Sequence, residues 1–221
     1  MQRLFDIIFS CIALVLLLPL LLPLMFILRL TGEGEIFFLQ NRVGREGRHF
    51  KLYKFATMLK DSPNIGTGTV TIKNDPRVLK VGRFLRKTKV NELPQLINIF
   101  NGDMSVIGPR PQTQRCFDAF PLSSQNEIIK VRPGLSGMGS IIFRNEEDMM
   151  NANNDPDKFY DEIVMPYKGT LENWYVSHQN IVSYFSLIGL TIWVGLGFSS
   201  RLVWKLFKDL PSPPKELVKW M

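Results

Sequence analysis

Residues 7–28 read IIFSCIALVLLLPLLLPLMFIL. No charged side chain interrupts the run, leucine dominates it, and about 20 apolar residues suffice to cross a bilayer as a helix. A secretory leader has a shorter apolar core ending in small residues at a cleavage site; here Arg29-Leu30-Thr31-Gly32-Glu33 follows. A core helix of a soluble protein would carry a polar face, and this run has none. The expectation is a membrane-anchoring helix over residues 1–30. Pro19 and Pro23 each remove a backbone donor from its interior. Each therefore favours a kink, and the helix either re-enters the face it came from or spans.

Outward from that run the chain has ordinary polarity. Its 221 residues, 45% hydrophobic, allow one domain and an appendage. We divide them into the anchor, a polar domain over 31–200 and a basic amphipathic tail over 201–221. The net charge of +7 suits nucleic acid, anionic lipid or a phosphorylated substrate. Two stretches favour lipid. In 79–88, Lys80, Arg83, Arg86 and Lys87 alternate with Val81, Phe84 and Leu85; in 201–208, Arg201, Lys205 and Lys208 alternate with Leu202, Val203, Trp204, Leu206 and Phe207. Basic side chains opposite apolar ones describe a helix in the headgroup plane, although a solvated helix over a protein core has the same pattern. No nucleic-acid motif occurs, so no nucleic-acid partner is expected. Cys11 and Cys116 fall in unlike segments and suggest no disulfide, which fits a reducing compartment. His49 and His178 are isolated and form no metal cluster.

Periodicity and turn residues give a strand at 36–40 and a strand, or a strand then a helix start, at 50–58, with turn chemistry over 41–48 and a loop over 62–75. Helices are expected at 79–88, 92–101, 122–130, 159–178 and 181–198. The 92–101 helix should present Leu93, Leu96, Ile97 and Phe100 on one face, and 181–198 is either membrane-associated or packed. The stretch 131–139, with three glycines and a proline, reads as a loop. The fold class is mixed α+β, mainly helical with a small β element, on a re-entrant or spanning N-terminal membrane helix with interfacial amphipathic helices. There is no Walker loop and no Gly-x-Gly-x-x-Gly. Two arginines are instead fixed by proline and glycine: Arg110 in Gly108-Pro109-Arg110-Pro111, and Arg132 before Pro133-Gly134. A guanidinium fork matches phosphate oxygens, and glycine lets backbone amides approach an anion. Glu92, Asp103 and the run Glu146-Glu147-Asp148 could hold Mg²⁺ against a diphosphate; helix capping and a solvated charge run are the alternatives.

Taken together and in order, Gln40-Asn41-Arg42-Val43-Gly44, the stretch Phe50 to Met58, Asp75-Pro76-Arg77, Gly82 to Thr88, Glu92-Leu93-Pro94-Gln95-Leu96, Gly102 to Pro111 and Arg132 to Gly137 resemble the bacterial sugar transferase family. These are the small monotopic phosphoglycosyl transferases of capsule, exopolysaccharide and glycoprotein assembly, and the resemblance covers residues 1–193. It implies that a carboxylate attacks the β-phosphate of a UDP-sugar, UMP leaves, and polyprenyl (undecaprenyl) phosphate takes the phosphosugar. It further implies Mg²⁺ as cofactor, inner-membrane lipids around the anchor, and a catalytic domain on the cytoplasmic face of a bacterial inner membrane.

By position, Glu92 matches the second residue of the family's Asp-Glu pair and Asn91 stands where the nucleophilic Asp is found. Lys54 and Arg86 match nearby basic residues. Arg110, followed by Pro111, matches the nucleotide-phosphate arginine, Arg132 belongs to the same substrate-binding set, and Arg144 matches an arginine after the glycine-rich loop. Glu92 and Asp103 are the implied metal ligands, and Pro19 the implied helix break. Tyr184 stands where a late family Asp is found. An amide is a poor nucleophile, so three readings follow. Another carboxylate reacts (Glu92, Glu146, Glu147 or Asp148), transfer is direct with Glu92 as base, or the site is disabled. The last gives the alternative function, a membrane homologue that binds polyprenyl phosphate or organises polysaccharide assembly. The sequence encodes neither the sugar nor whether copies assemble.

Overall fold

The structure is a computed structural model describing residues 1–64 and 75–221; most of the loop expected over 62–75 lies outside the described residues. The chain divides into two compact units. The larger comprises Met1–Asp6, Arg42–Phe50 and Gly102–Met221, the smaller Ile7–Asn41 and Lys51–Asn101. Helix dominates, with two two-stranded sheets among the described residues.

Helix α1, Gln2–Leu30, contributes its first residues to the larger unit and the rest to the smaller. Pro19 and Pro23 both lie inside it. In a run of leucines no other partner competes for the backbone, and helix remains the arrangement that satisfies it. Leu17, Leu21, Leu24 and Leu28 recur at helical spacing and pack on Phe55 and Leu85. The opposite side leaves Leu16, Leu18, Leu20, Leu22 and Phe26 exposed. The helix is long and apolar enough to cross a membrane.

Strands β1, Phe37–Val43, and β2, His49–Phe55, pair, each longer or shorter than expected by a few residues. The Gly44 N–H donates to the Arg48 carbonyl at 2.9 Å and closes their turn. In the smaller unit β2 leads to α2, Lys80–Lys87, on which only Gly82 and Leu85 are buried. A 3₁₀ turn over Val90–Glu92 precedes α3, Gln95–Asn101. The expected apolar face of this helix is wrong in part: Gln95, Leu96, Asn98 and Ile99 are buried, and Phe100 is exposed. Asn98 is inside because its amide accepts from the Tyr53 N–H at 2.9 Å and donates to the Lys51 carbonyl at 2.8 Å, satisfying an edge of β2 that hydrocarbon would leave unpaired.

The larger unit continues with β3, Ser105–Ile107, then α4, Gln114–Asp118, and α5, Leu122–Ile128. β4, Gly134–Ser136, lies in the stretch expected to be a loop and pairs parallel with β3. After it come α6, Met138–Ile142, α7, Glu146–Asn151, and α8, Pro156–Phe159. A π-helical turn over Tyr160–Val164 runs into α9, Met165–Ser177. Then follow α10, Ile181–Gly195, α11, Leu202–Leu206, and α12, Lys215–Val218. The acidic run expected to be a solvated stretch or a site is the first turn of α7. α9 packs against α5 and α6, and α10 against β3, β4 and α6. Asn180 and Ser183 form a reciprocal cap at the start of α10.

Candidate active site

In the smaller unit, Lys54 near the end of β2 meets Glu92 in the 3₁₀ turn, 3.5 Å from Nζ to Oε1. Both side chains are more than four-fifths buried. Two backbone features bring them together. Gly82 abuts the Thr57 carbonyl, where any Cβ would collide, and the Leu79 N–H donates to that same carbonyl at 3.0 Å, so α2 starts hard against the end of the strand. Lys89 then takes a left-handed conformation, φ 60° and ψ 9°, which reverses the chain into the turn. Asn91 is 8% exposed, and its Oδ1 is buried without a hydrogen-bond partner. The half-buried Arg86 directs Nη1 at the Met58 sulfur, 3.5 Å away.

In the larger unit, β3 and β4 cross at a contact only glycine permits. A Cβ on Gly108 would meet the Arg132 carbonyl, and one on Gly137 the Gly108 carbonyl. Backbone bonds Ser105 N–H to Pro133 (2.9 Å), Gly108 N–H to Ser136 (2.9 Å) and Gly134 N–H to Pro109 (2.8 Å) lock the register. Arg110 thereby stands exposed between the buried Pro109 and Pro111. Arg42 holds the same turn, donating from Nη1 to the Pro111 carbonyl at 3.1 Å. Arg132, before β4, donates from Nε to the Gly102 carbonyl at 2.8 Å. An apolar cleft lined by Val43, Pro109, Phe117, Ile129 and Pro133 opens beside Arg110.

The family described as bacterial sugar transferase matches residues 1–197. The chain belongs to the bacterial sugar transferase family. It is 39% identical over 145 residues to a UDP-N-acetylgalactosamine-undecaprenyl-phosphate N-acetylgalactosaminephosphotransferase of Aeromonas hydrophila, covering 64% of this chain and 34% of that protein. Exopolysaccharide production protein ExoY of Rhizobium meliloti is 35% identical over 159 residues, 66% of this chain and 70% of ExoY. UDP-glucose:undecaprenyl-phosphate glucose-1-phosphate transferase of Escherichia coli is 36% identical over 153 residues, 68% of this chain and 33% of that one. The chain thus spans about a third of the two longer relatives.

Of the residues the sequence singled out, Lys54, Asn91 and Glu92 come together in one unit, and Arg110, Pro111 and Arg132 in the other. Asp103 lies in the turn before β3. Arg144, in the turn after α6, donates to the Val194 carbonyl at the C-terminal end of α10, where a cation suits the helix dipole. Glu146 pairs with Lys168 of α9. Sequence reasoning missed Asp6, whose Oδ1 accepts from Ser105 Oγ (2.9 Å), the Val106 N–H (2.9 Å) and Tyr184 Oη (2.8 Å). Its only signal was an isolated acid ahead of an apolar run. Tyr184, fully buried, is thus fixed to α1. Glu172 on α9 was missed as well and carries no local signal.

Proposed function

We propose that this sugar transferase moves a phosphosugar from a UDP-sugar to polyprenyl phosphate, releasing UMP. In the net step, an oxygen of the acceptor phosphate bonds to the β-phosphorus of the donor, and the bond from that phosphorus to the oxygen leaving with UMP breaks. The Lys54–Glu92 pair carries the reading. It sets the Glu92 carboxylate, paired with the Lys54 ammonium at 3.5 Å, beside Asn91, which cannot itself act as nucleophile. Glu92 is the carboxylate on which turnover depends. Arg110 and Arg132 grip the donor's phosphates as forks on a rigid, glycine-crossed turn.

Among the described residues no three His, Cys, Asp or Glu side chains converge as a metal cage. Mg²⁺ is commonly held by one or two carboxylates with substrate phosphates and water. Glu92 would supply hard oxygens, and the bound ion would neutralise the diphosphate. The exposed leucines of α1 support an inner-membrane location, and a cytosolic nucleotide-sugar donor places the catalytic domain on the cytoplasmic face. α2 and the 201–221 tail, basic and partly apolar, would lie along the headgroups.

The test is UMP release by detergent-solubilised protein with Mg²⁺, polyprenyl phosphate and a panel of UDP-sugars. One sugar should give lipid-dependent turnover. Glu92→Gln should lower it by about 10²-fold or more, and Lys54→Met similarly, with folding intact. A stoichiometric UMP burst without lipid that Glu92→Gln abolishes assigns Glu92 a covalent role; UMP that waits for lipid assigns it to direct transfer. Glu92→Gln at wild-type rate would remove Glu92 from the mechanism. Silence with every sugar, unrelieved by Asn91→Asp, would favour a non-catalytic membrane homologue.

A further inference from the structure

Glu172 belongs to none of the motifs above. It is 3% exposed on α9. Its Oε1 accepts the Gly139 N–H at 3.3 Å, and the Arg110 N–H also bonds to the carboxyl. Oε2 is buried with no hydrogen-bond partner. A Cβ on Gly139 would come within 2.5 Å of Oε1, so a glycine there is what admits the carboxyl to the backbone. One turn earlier on the same face, the buried Lys168 pairs with Glu146 and sits 4.9 Å over the Phe143 ring. A buried carboxyl with an unpaired oxygen is a poor choice for stability alone. Its contacts join the exposed Arg110 turn to the start of α6.

We propose that Glu172 is a positioning residue for Arg110: by accepting the backbone N–H groups of Arg110 and Gly139, its buried carboxyl fixes the turn from which the Arg110 guanidinium reaches the donor's phosphates. This rests on the reading of Arg110 as the arginine that grips those phosphates. The groups facing the carboxyl are Lys168 and Tyr175 from α9 itself, the Arg110 and Gly139 backbones from the turn and α6, and, through Lys168, Glu146 from α7. Burial pushes the carboxyl up to about 8, against the opposing pull of the N–H groups and Lys168. Near pH 7 it therefore accepts as a neutral group, and no buried negative charge competes with the bound phosphate. Above pH 8 it ionises and that charge appears behind the anion site.

The probe is UMP, titrated calorimetrically into the full detergent-solubilised chain. Glu172→Gln keeps a neutral acceptor and Glu172→Leu removes it. The Leu variant should bind UMP about tenfold more weakly, the loss of one or two backbone hydrogen bonds, with Gln within about twofold of wild type. Between pH 7 and 9 wild-type affinity should fall while that of Glu172→Gln stays level, a difference that a purely structural role would not produce. Unchanged UMP binding in the Leu variant, or equal loss in Leu and Gln, overturns the proposal. Should the Leu variant not fold, parallel pH profiles for wild type and Gln overturn it. Arg110→Ala separates the two readings. If it leaves UMP binding intact, the phosphate-gripping role fails and the positioning role with it. If it weakens binding while Glu172→Leu does not, only the positioning role fails.

Discussion

Lys89 shows how much the candidate site asks of single residues. Its left-handed backbone, φ 60°, costs an L-residue about 1 kcal/mol, and it directly precedes the turn that presents Asn91 and Glu92. Glycine would relieve that cost but loses part of the gain to its freer unfolded chain. Lys89→Gly should therefore leave Tm close to wild type or slightly higher. Lys89→Val should lower it by several degrees, because a β-branched side chain is worst in this region. Equal Tm values would mean the turn is not strained. Glu172 gives a second residue-scale outcome. The unfolded chain releases its proton near 4.5, the folded chain near 8. Below 4.5 both forms hold the proton and the contribution is fully present. Between 4.5 and 8 only the folded form holds it, so stability falls as pH rises, by up to about 1.4 kcal/mol per pH unit, and above 8 the loss is complete. Thermal unfolding from pH 5 to 8.5 should show a shallower decline in Glu172→Gln than in wild type. Identical slopes would mean that the carboxyl is not perturbed.

Among the elements, β3 and β4 depend most on the absence of side chains. Gly108→Ala drives a methyl into the Arg132 carbonyl and within 2.9 Å of the Gly134 nitrogen. Backbone cannot move aside as a side chain tip can, so the pair must splay and lose its short hydrogen bonds, costing about 3 kcal/mol. Gly189 on α10 has nothing within 4 Å of its missing Cβ, and Gly189→Ala should add about 0.5–1 kcal/mol through helix propensity alone. Opposite shifts in Tm for the two variants are the expected result. Shifts of one sign would mean that propensity, not crowding, decides at Gly108. The same strands show what pattern alone could not reach. A three-residue strand has no period to read, and the glycines and proline that suggested a loop over 131–139 are present because β4 must approach β3 so closely. α1 was legible because a charge-free run of about 20 apolar residues needs no partner to be seen. The inward face of α3 was misread at Asn98, whose burial is decided by the edge of β2. Lys54 and Glu92, 38 residues apart, were picked out by resemblance to the family; their spacing said nothing of the ion pair.

At the scale of the whole molecule, two attractions toward a membrane can be weighed against each other. The charge of +7 offers about 1 kcal/mol for each lysine or arginine held near an anionic surface, and salt weakens it as the screening length shrinks from about 10 Å at 0.1 M to 3 Å at 1 M. α1 offers something salt does not weaken. Ile7, Ile8, Ile12, Val15, Leu16, Leu18, Leu20, Leu22, Phe26, Ile27 and Leu30 are all exposed on it, and removing side chains of this size from water is worth about 1.5–3 kcal/mol each when complete. Even at half that value their sum exceeds anything the basic patches supply. Membranes from cells expressing the chain should therefore retain it through a 1 M NaCl wash and release it to detergent. Release by salt alone would mean that α1 does not enter the hydrocarbon and that the basic surfaces hold the protein, in which case neutralising Arg201, Lys205 and Lys208 would free it at lower salt still.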